Sequence, residues 1–480
     1  MTRCRGDDCP FPEETSPVSP AGPDAPRDPR ATDEIWTQGP VWSRSERPLA
    51  RLVAKPVQDF LRIESAGSIM LLVATVIALA WVNSPWGESY GEFWHTYFSI
   101  SLGPWEIRET LGHWVNDALM AIFFFVVGME IKHELVHGDL KDPKAAALPM
   151  IAAFGGVLVP AGIYALLNAG GDGAAGWGIP MATDIAFAVG VLGVLGRRIP
   201  SGARLFLLTL AVVDDIVAIL VIAVFYTARL DLVALTVALV GVALVFALRR
   251  IRVWSRWVYV GLGLVVWTAL LASGVHATLA GVALGLLTPA VPLVRERVAR
   301  AYAQEALADR RLDPEEISRL RFLLSESVPM VEWLQARLHP LSSFVVLPLF
   351  ALANAGVPLT RDAVTEAVTA PVGLGIIVGL VVGKPLGIVL FTWAAVRTGA
   401  GRLPEGTTWP MLVGLGSVAG IGFTVSIFIA GLSFPGAAAL TDAAKVGIIG
   451  ASLVSAVIGV LLLLAATRGR TPSDVEQNAS

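Results

Sequence analysis

Long apolar stretches separated by short polar loops run along the chain from about residue 66 to residue 464. We interpret twelve of them as membrane-spanning helices, since a helix needs about 20 mainly apolar residues to cross a bilayer. The fourth, seventh and eighth are shorter than the rest. The stretches begin near Ala66, Gly112, Ala147, Pro180, Ala203, Leu232, Trp257, Val275, Leu341, Pro371, Pro410 and Ala443. This pattern predicts an all-α polytopic membrane protein.

The composition of the chain agrees with this interpretation. Of 480 residues, 55% are hydrophobic and 16% are charged, and the mean hydropathy is +0.66, whereas a soluble domain carries about 25% charged residues. The net charge of −3 is too small to indicate a nucleic-acid partner, and the basic residues lie at the ends of apolar stretches. We therefore expect a lipid bilayer around the chain and no nucleic acid among its partners.

The charges of the loops predict the orientation. Loops after even-numbered stretches are rich in lysine and arginine, whereas loops after odd-numbered stretches carry acidic residues. The basic residues are Lys132, Lys141, Lys144, Arg197, Arg198, Arg204, Arg249, Arg250, Arg252, Arg256, Arg397 and Arg402, and the acidic ones include Glu88, Glu92, Asp172, Asp362 and Glu366. Because basic loops tend to remain in the cytoplasm, both termini are predicted to be cytoplasmic.

The N-terminal part differs from the apolar part of the chain. Residues 1–57 are rich in Pro, Asp, Arg and Ser, show no signal-peptide pattern, and are predicted to form a disordered cytoplasmic tail. Within it, Cys4 and Cys9 are either reduced cytoplasmic thiols or a redox or metal-binding pair. Leu49–Arg62 is amphipathic and basic, which favours a short helix on the membrane surface.

Two loops between the apolar stretches have features of their own. The sequence YFSISLGPWEIRE alternates around Gly103 and Pro104, which fits a β-hairpin on the outer face as well as an irregular loop. Residues 290–340 have mixed charges and are predicted to form a helical, solvated cytoplasmic insert. Including this insert, the membrane domain is expected over 58–468, followed by a cytoplasmic tail over 469–480.

Five ionisable residues lie inside apolar stretches, where a charge costs at least about 2.5–3.5 kcal/mol and normally faces a cavity or a partner. They are Asp117, Asp184, Asp214, Asp215 and Lys384. At a rise of ~1.5 Å per residue, the adjacent aspartates and the lysine fall near the middle of the bilayer. Neighbours on a helix diverge by about 100°, so one of the two aspartates can meet Lys384 while the other faces water or an ion.

A structural ion pair is the simpler explanation of these charges, and it would account for one aspartate and one lysine. Three midplane carboxylates against one ammonium leave a surplus of negative charge that packing alone does not explain. This surplus predicts that the site holds a cation or protons.

Two of the apolar stretches are poor continuous helices. The fourth is predicted to start with Pro180, and the eleventh, MLVGLGSVAGIGFTVSIFIAGL, holds five glycines. Each is the middle stretch of a group of three, from Ala147 to Tyr226 and from Pro371 to Leu464. Interrupted helices at matching positions of two inverted repeats are typical of a transporter's midplane site, although close helix packing also explains glycine-rich spans. Asp184 and Lys384 would balance the partial charges at such helix breaks.

Seven motifs along the chain carry a resemblance to a known family. They are, in order, ATDIAFAVGVLGVLG, AVVDDIVAI, GVHATLAG, LPLFALANAGV, GKPLGI, LPEGTTW and GIGFTVSIFIA. They resemble the NhaA family of bacterial Na⁺/H⁺ antiporters, and the resemblance extends from about Phe60 to Leu464. Because this family is one of the cases from which the inverted-repeat rule was drawn, the repeat argument and the resemblance are not independent.

The resemblance implies a secondary transporter of the bacterial plasma membrane rather than an enzyme. Such a transporter exchanges internal Na⁺ or Li⁺ for external protons, two protons per cation, and has no cofactor. One carboxylate site can hold a proton or Na⁺ but not both, so competition combined with alternating access produces exchange. Which residues deliver the two protons is a question of coupled titration that the sequence leaves open.

Roles for individual residues follow from the resemblance by motif. Asp215 would be the principal cation ligand and proton carrier, and Asp214 would bind a proton or cation in alternation with its partnership to Lys384. Asp184 and Thr183 would lie at a helix break and line the site. Lys384 would also balance charge. Asp117, in the motif WVNDALMA, would belong to an outward-facing funnel.

The resemblance also implies a response to pH and a homodimer. Glu130 and Glu134, in GMEIKHEL, match a charged cytoplasmic cluster that shuts family members down at acid pH. His276, in GVHATLAG, matches a residue with a proposed role in the pH response, and a hydrogen-bonded packing histidine explains it equally well. The outer hairpin mediates dimerisation in this family, so Ser99–Glu106 is expected to do so here.

The chain departs from the family pattern within the expected pH-response cluster. His133 stands where the family has arginine. In WLQARLHP, Gln335 and Ala336 stand where the best-known pattern has glutamate and histidine, before the retained His339. A shifted pH midpoint is the expected consequence.

Three other classes of membrane protein remain open from the residues alone. A sodium-coupled symporter of organic anions needs further polar groups, and the midplane offers one lysine and no arginine. An intramembrane aspartyl protease needs two carboxylates from different helices, whereas Asp214 and Asp215 are neighbours. A channel is the third class, against which the titratable midplane cluster argues.

Overall fold

The computed structural model describes residues 66–102, 105–227, 230–251, 256–308 and 313–468. The N-terminal tail with its two cysteines, the amphipathic stretch that follows and the C-terminal tail lie outside these residues. The described chain is mostly helical, in agreement with the predicted class of an all-α membrane protein. In chain order the helices are α1 (Ala66–Val82), α2 (Gly87–His95), α3 (Leu111–Val136), α4 (Pro143–Leu167), α5 (Ile185–Leu195), α6 (Ser201–Phe225), α7 (Leu232–Arg250), α8 (Arg256–Ser273), α9 (Thr278–Leu287), α10 (Glu296–Ala308), α11 (Pro314–Glu326), α12 (Met330–Asn354), α13 (Arg361–Thr369), α14 (Pro371–Thr398), α15 (Trp409–Ala419), α16 (Phe423–Ser433) and α17 (Ala438–Ala466).

The predicted apolar stretches are largely helical in the structure, and the fourth and the eleventh are each divided between two helical segments. Within the described residues, eight spans are long and apolar enough to cross a membrane. One of them, Asp172–Leu195, combines a 3₁₀ helix with α5. Two bent helix pairs raise that number to ten: α1 with α2, at 113°, and α15 with α16, at 46°. The two remaining stretches coincide with the shorter apolar helices α8 and α9.

A β-hairpin connects α2 to α3, as one of the two interpretations of that loop predicts. Strand β1 (Tyr97–Leu102) pairs antiparallel with strand β2 (Trp105–Thr110), with Tyr97 opposite Thr110. Its apolar side chains Phe98 and Ile100 are about half exposed.

The fourth apolar stretch begins earlier than the sequence predicts. A 3₁₀ helix covers Asp172–Met181, and Pro180 lies inside it rather than at the start. The glycine-rich sequence GGDGAAGWG hides this element because it lacks a run of large apolar side chains. Three residues without helical structure follow, and α5 begins at Ile185.

The predicted insert of residues 290–340 is mostly helical where the structure describes it. It contains α10 and α11, and α11 begins with a capping box in which Asp313 and Glu316 each bond the other's backbone amide. The insert also includes the start of α12, which begins at Met330, before the predicted position near Leu341.

The helices differ strongly in burial. Of the 18 consecutive residues that form the most apolar part of each helix, 72% are buried in α6 and 17% in α7. Apolar side chains such as Val194 and Val224 remain exposed on the outside, as expected of a surface that faces lipid. A polar residue in the middle of α6 is therefore surrounded by protein rather than by lipid.

Helices α4 and α14 cross at a contact that only glycine permits. A Cβ atom on Gly155 would lie 2.4 Å from the carbonyl oxygen of Gly387, so any side chain there would force the helices apart. Lys384 precedes Gly387 by about one turn of α14. This close crossing therefore sets the depth of Lys384 in the protein.

Candidate functional site

Helix α6 carries the two adjacent carboxylates at its centre. Asp214 and Asp215 are 1% and 5% exposed, and the preceding residues Ala211, Val212 and Val213 are also buried. Two carboxylates thus lie in the most buried helix of the candidate spans. This position requires partners or bound ions, because an isolated buried charge is very costly.

Lys384 is one partner of this pair. Its side chain is fully buried on α14, immediately after a π-helical turn over Gly379–Gly383. The ammonium donates hydrogen bonds to Oδ2 of Asp214 and to the carbonyl oxygen of Met181. Of the two candidates that the sequence offers, Asp214 is the one that pairs with the lysine.

Two non-helical segments cross beside this ion pair. One precedes α5, and the other separates α15 from α16. The amide of Asp184 donates to the carbonyl oxygen of Ile421 at 2.6 Å. The hydroxyl of Thr183 lies 2.7 Å from Oδ2 of Asp214 and 2.8 Å from the carbonyl oxygen of Ala419. Thr183 therefore joins the crossing point to the carboxylates of α6.

Asp184 caps two helices at once. Its Oδ1 accepts from the amide of Phe187 at 3.0 Å, in the first turn of α5. Its Oδ2 accepts from the amide of Thr424 at 3.0 Å and from the hydroxyl of Thr424 at 2.5 Å, in the first turn of α16. A carboxylate is well suited to this position because helix N-termini carry partial positive charge. Lys384 meets the opposite polarity at the carbonyl of Met181, where the 3₁₀ helix ends.

Asp215 differs from the other two carboxylates. It accepts no hydrogen bond from any residue that the structure describes, and its neighbours in charge are Asp214, Glu130, Asp184 and Lys384. Oδ1 of Asp214 is likewise buried without a hydrogen-bond partner. The site thus offers three carboxylate oxygens that are free to bind a proton or a small cation.

The candidate funnel residue lies away from this group. Asp117 is half-buried in a π-helical turn of α3, Val115–Leu119, where its charged neighbours are His113 and Glu109. Its backbone oxygen accepts from the indole of Trp267 at 3.2 Å. The structure therefore places Asp117 nearer to the hairpin than to Asp214.

The expected pH-response residues on α3 are divided between two environments. Glu130 is half-buried and lies close enough to Asp215 for the two carboxylates to interact electrostatically. Oε2 of Glu134 is buried with no partner among the described residues. His133 faces the neighbouring helix α12, where its Nε2 lies 3.9 Å from Oε1 of Glu332.

The remaining candidates lie apart from the carboxylates. The ring nitrogen Nε2 of His276 lies 2.8 Å from the carbonyl oxygen of Tyr226, just past the end of α6. His339 is exposed on α12, as is Ala336, and Gln335 is half-buried. None of these residues contacts the ion pair in the described part of the chain.

Sequence reasoning missed Thr424 and Ser426. The first bonds Asp184, and the hydroxyl of the second donates to the carbonyl oxygen of Ile179 at 2.8 Å. A signal was available, because hydroxyl residues two and four positions after Gly422 are typical of a helix start inside a broken span. Contacts with backbone atoms, such as the carbonyl oxygen of Met181, cannot be predicted from the type of side chain at that position.

Comparison with known proteins adds the family. A family model described as Na⁺/H⁺ antiporter 1 matches residues 58–463. A Na⁺/H⁺ antiporter NhaA of Rhodopirellula baltica is 48% identical over 419 residues, which is 85% of this chain and 94% of that protein. Na⁺/H⁺ antiporter NhaA 2 of Sorangium cellulosum is 44% identical over 445 residues, covering 90% and 95%. NhaA 3 of Frankia alni is 46% identical over 417 residues, covering 86% and 89%.

Proposed function

The chain belongs to the Na⁺/H⁺ antiporter 1 family, and from this membership we propose that it exchanges internal Na⁺ or Li⁺ for external protons at Asp215. The observation that carries the proposal is the contrast between two neighbours. Asp214 is neutralised by Lys384, whereas Asp215 is buried and accepts no hydrogen bond within the described residues. A buried carboxylate in that state is stabilised by binding either a proton or a cation.

Competition for this carboxylate couples the two ions. A protonated Asp215 is neutral and has one oxygen fewer to offer a cation, while an ionised Asp215 attracts Na⁺. Each conformational change then carries whichever ion is bound across the membrane. Because Na⁺ prefers hard oxygen ligands, the free oxygens of Asp214 and Asp215 and the hydroxyl of Thr183 form a suitable donor set.

The ion pair supplies the second proton in this proposal. If Oδ2 of Asp214 turns from Lys384 to the incoming cation, the ammonium loses the partner that stabilises its charge and releases a proton. Two protons then exchange for one Na⁺. The cycle moves one net positive charge inward, so the membrane potential drives it in addition to the proton gradient.

The crossing of the two non-helical segments is the place where movement is proposed. The segments before α5 and between α15 and α16 are held by Asp184 and Thr183 through a few hydrogen bonds. Their helices belong to two groups, α4–α6 and α14–α17, each of three spans if α15 and α16 count as one, and we propose these groups as inverted repeats. Movement of one group against the other would expose Asp215 to each side in turn.

The topology completes the proposal. Counting each bent pair as one span and including α8 and α9, the chain crosses the bacterial plasma membrane twelve times, with both termini and residues 290–340 in the cytoplasm. Glu130, His133, Glu134 and His339 contribute to the pH response, and Asp117 to the outward funnel. The exposed hairpin β1–β2 mediates a homodimer.

The described residues give no specific support to the other classes. An organic-anion symporter would need a free midplane cation, but Lys384 is engaged by Asp214 and by a carbonyl oxygen. A protease dyad would need two catalytic carboxylates facing one water, but both oxygens of Asp184 cap helices.

The direct test is the collapse of an imposed pH gradient in proteoliposomes on addition of NaCl, LiCl or KCl. The wild-type protein is expected to respond to Na⁺ and Li⁺ but not to K⁺, and Asp215→Asn is expected to abolish the response. Asp442→Asn is the matched control, because Asp442 also lies in an apolar helix, near Lys445 on α17, but outside the site. A wild-type protein without any Na⁺ response, or an active Asp215→Asn variant, would refute the proposal.

A further inference from the structure

Two histidines and one glutamate converge outside the carboxylate site. His133 and His137 lie at the end of α3, and Glu332 lies in the first turn of α12. One ligand atom of each residue lies within 4.8 Å of the ligand atoms of the other two. We propose that these three residues bind a divalent transition-metal ion of the zinc class, which ties α3 to α12.

The two histidines share one side of α3. The amide of His137 donates to the carbonyl oxygen of His133 at 2.7 Å, so the helical turn continues through both residues. Their ring centroids are 5.4 Å apart. Two histidines four residues apart on one helical face are the usual way for a helix to offer two imidazole ligands to one ion.

The third ligand is held in place by packing between the helices. Val331, beside Glu332, is fully buried in a cluster with Val126 and Met129 of α3. Its amide also donates to the carbonyl oxygen of Pro289 at 3.1 Å. This packing places the start of α12 against α3, and Oε1 of Glu332 lies 3.9 Å from Nε2 of His133.

The ligand types and spacing suit zinc. Two imidazoles and one carboxylate form a common three-ligand set for Zn²⁺, with a fourth position left for water. Bonds of about 2.0–2.2 Å would place the ligand atoms roughly 3.3–3.5 Å apart. The side chains therefore need to close by little more than an ångström, and the exposed His137 and Glu332 have room to turn.

The same turn of α3 carries a further buried carboxylate. Oε2 of Glu134 is buried and has no hydrogen-bond partner in the described residues. It lies in the same turn, where a Cβ atom on Gly138 would come within 1.9 Å of it. A contact between His133 and Glu332 alone leaves His137 without a role, whereas a bound metal ion uses all three side chains.

Occupancy of the site would restrain α3. Glu130 is about one turn before His133 on that helix and interacts electrostatically with Asp215. A metal ion that fixes α3 to α12 would therefore slow any transport step in which these helices move apart. This consequence rests on the proposed function, whereas binding of the metal does not.

Binding is tested by titrating the purified full-length protein with ZnCl₂ against a chromophoric zinc chelator. With Cys4 and Cys9 replaced by serine in every protein, we expect one site per chain, and at least about tenfold weaker binding in His137→Ala and in Glu332→Gln. His113→Ala is the matched control, because His113 and Glu109 also form a histidine–glutamate pair, 3.7 Å apart, without a second histidine. Equal binding by all four proteins, or none by the wild type, would overturn the site.

Thermal unfolding shows whether a variant has lost zinc binding because it fails to fold. Zinc is expected to raise the melting temperature of the wild type and of His113→Ala but not of His137→Ala, whose melting temperature without zinc should equal that of the wild type. In proteoliposomes, zinc should slow exchange by the wild type and spare His137→Ala. Tight binding with unchanged exchange would refute the restraint of α3 and leave the metal site standing.

Discussion

The ammonium of Lys384 and the carboxylate of Asp214 form an ion pair from which water is excluded, with 0% and 1% of their side chains exposed. Thr183 adds a hydrogen bond to the same carboxylate oxygen. Asp215, the next residue on α6, has neither partner. One of two adjacent carboxylates is therefore neutralised by the protein, and the other is left for an ion.

Removal of the lysine tests the energetics of this pair. Lys384→Met leaves a buried carboxylate unpaired and is expected to lower the free energy of unfolding by about 3–5 kcal/mol. The double variant Lys384→Met with Asp214→Asn should recover most of that loss, since no charge is left unpaired. The melting temperatures in detergent of the single and double variants compare the two. A double variant no more stable than Lys384→Met would argue against a buried charge pair.

The cap shared by α5 and α16 gives a second prediction. Thr424→Val removes the hydroxyl that bonds Asp184 and should cost about 1–3 kcal/mol while lowering the exchange rate. Thr424→Ser keeps the hydroxyl and is expected to behave like the wild type. The two variants are compared by thermal unfolding and by the collapse of the pH gradient on addition of NaCl. Equal behaviour of serine and valine would exclude a role for this bond.

The crossing of α4 and α14 gives a third prediction. A methyl group on Gly387 would lie 2.1 Å from the carbonyl oxygen of Gly155, so Gly387→Ala must push the helices apart. We expect a loss of about 1–3 kcal/mol in stability and slower exchange, because Lys384 moves with α14. Gly450→Ala is the control, since a methyl group there meets nothing within 4 Å. The crossing would not matter if both variants melted and transported alike.

His276 gives a prediction about pH. Its Nε2 lies 2.8 Å from a backbone carbonyl oxygen, that of Tyr226, so a neutral imidazole with its hydrogen on Nε2 satisfies the contact. His276→Gln can donate to the same oxygen and is expected to leave the pH midpoint of exchange unchanged. The pH profile of Na⁺-driven exchange measures this. A midpoint displaced by the substitution would assign His276 to the pH response.

Much of the architecture follows from the sequence because it depends on local patterns. The apolar stretches mark the helices since only a regular helix satisfies its own backbone in lipid. Alternation around Gly103 and Pro104 allowed either a hairpin or an irregular loop, and β1 and β2 form the hairpin. The predicted start of the fourth stretch was wrong because its first turns are rich in glycine and alanine and lack a run of large apolar side chains.

The candidate site was predictable in its members but not in its connections. The sequence placed Asp214, Asp215 and Lys384 at one depth, yet either aspartate could have met the lysine. Which one does so depends on the rotation of α6 against α14, which is a tertiary relationship between distant parts of the chain. The capping of α16 by Asp184 is likewise a tertiary contact, and no local sequence pattern predicts it.

The measurement that tests the central claim most directly is proton release on Na⁺ binding. The purified protein is titrated with NaCl in weakly buffered detergent solution, and the released protons and the apparent Na⁺ affinity are followed against pH. If Na⁺ and protons compete at Asp215, protons are released, and the apparent affinity rises about tenfold per pH unit for each competing proton. In Asp215→Asn both effects should vanish while the protein remains folded. Sodium binding without proton release in the wild type, or unchanged proton release in Asp215→Asn, would contradict the account.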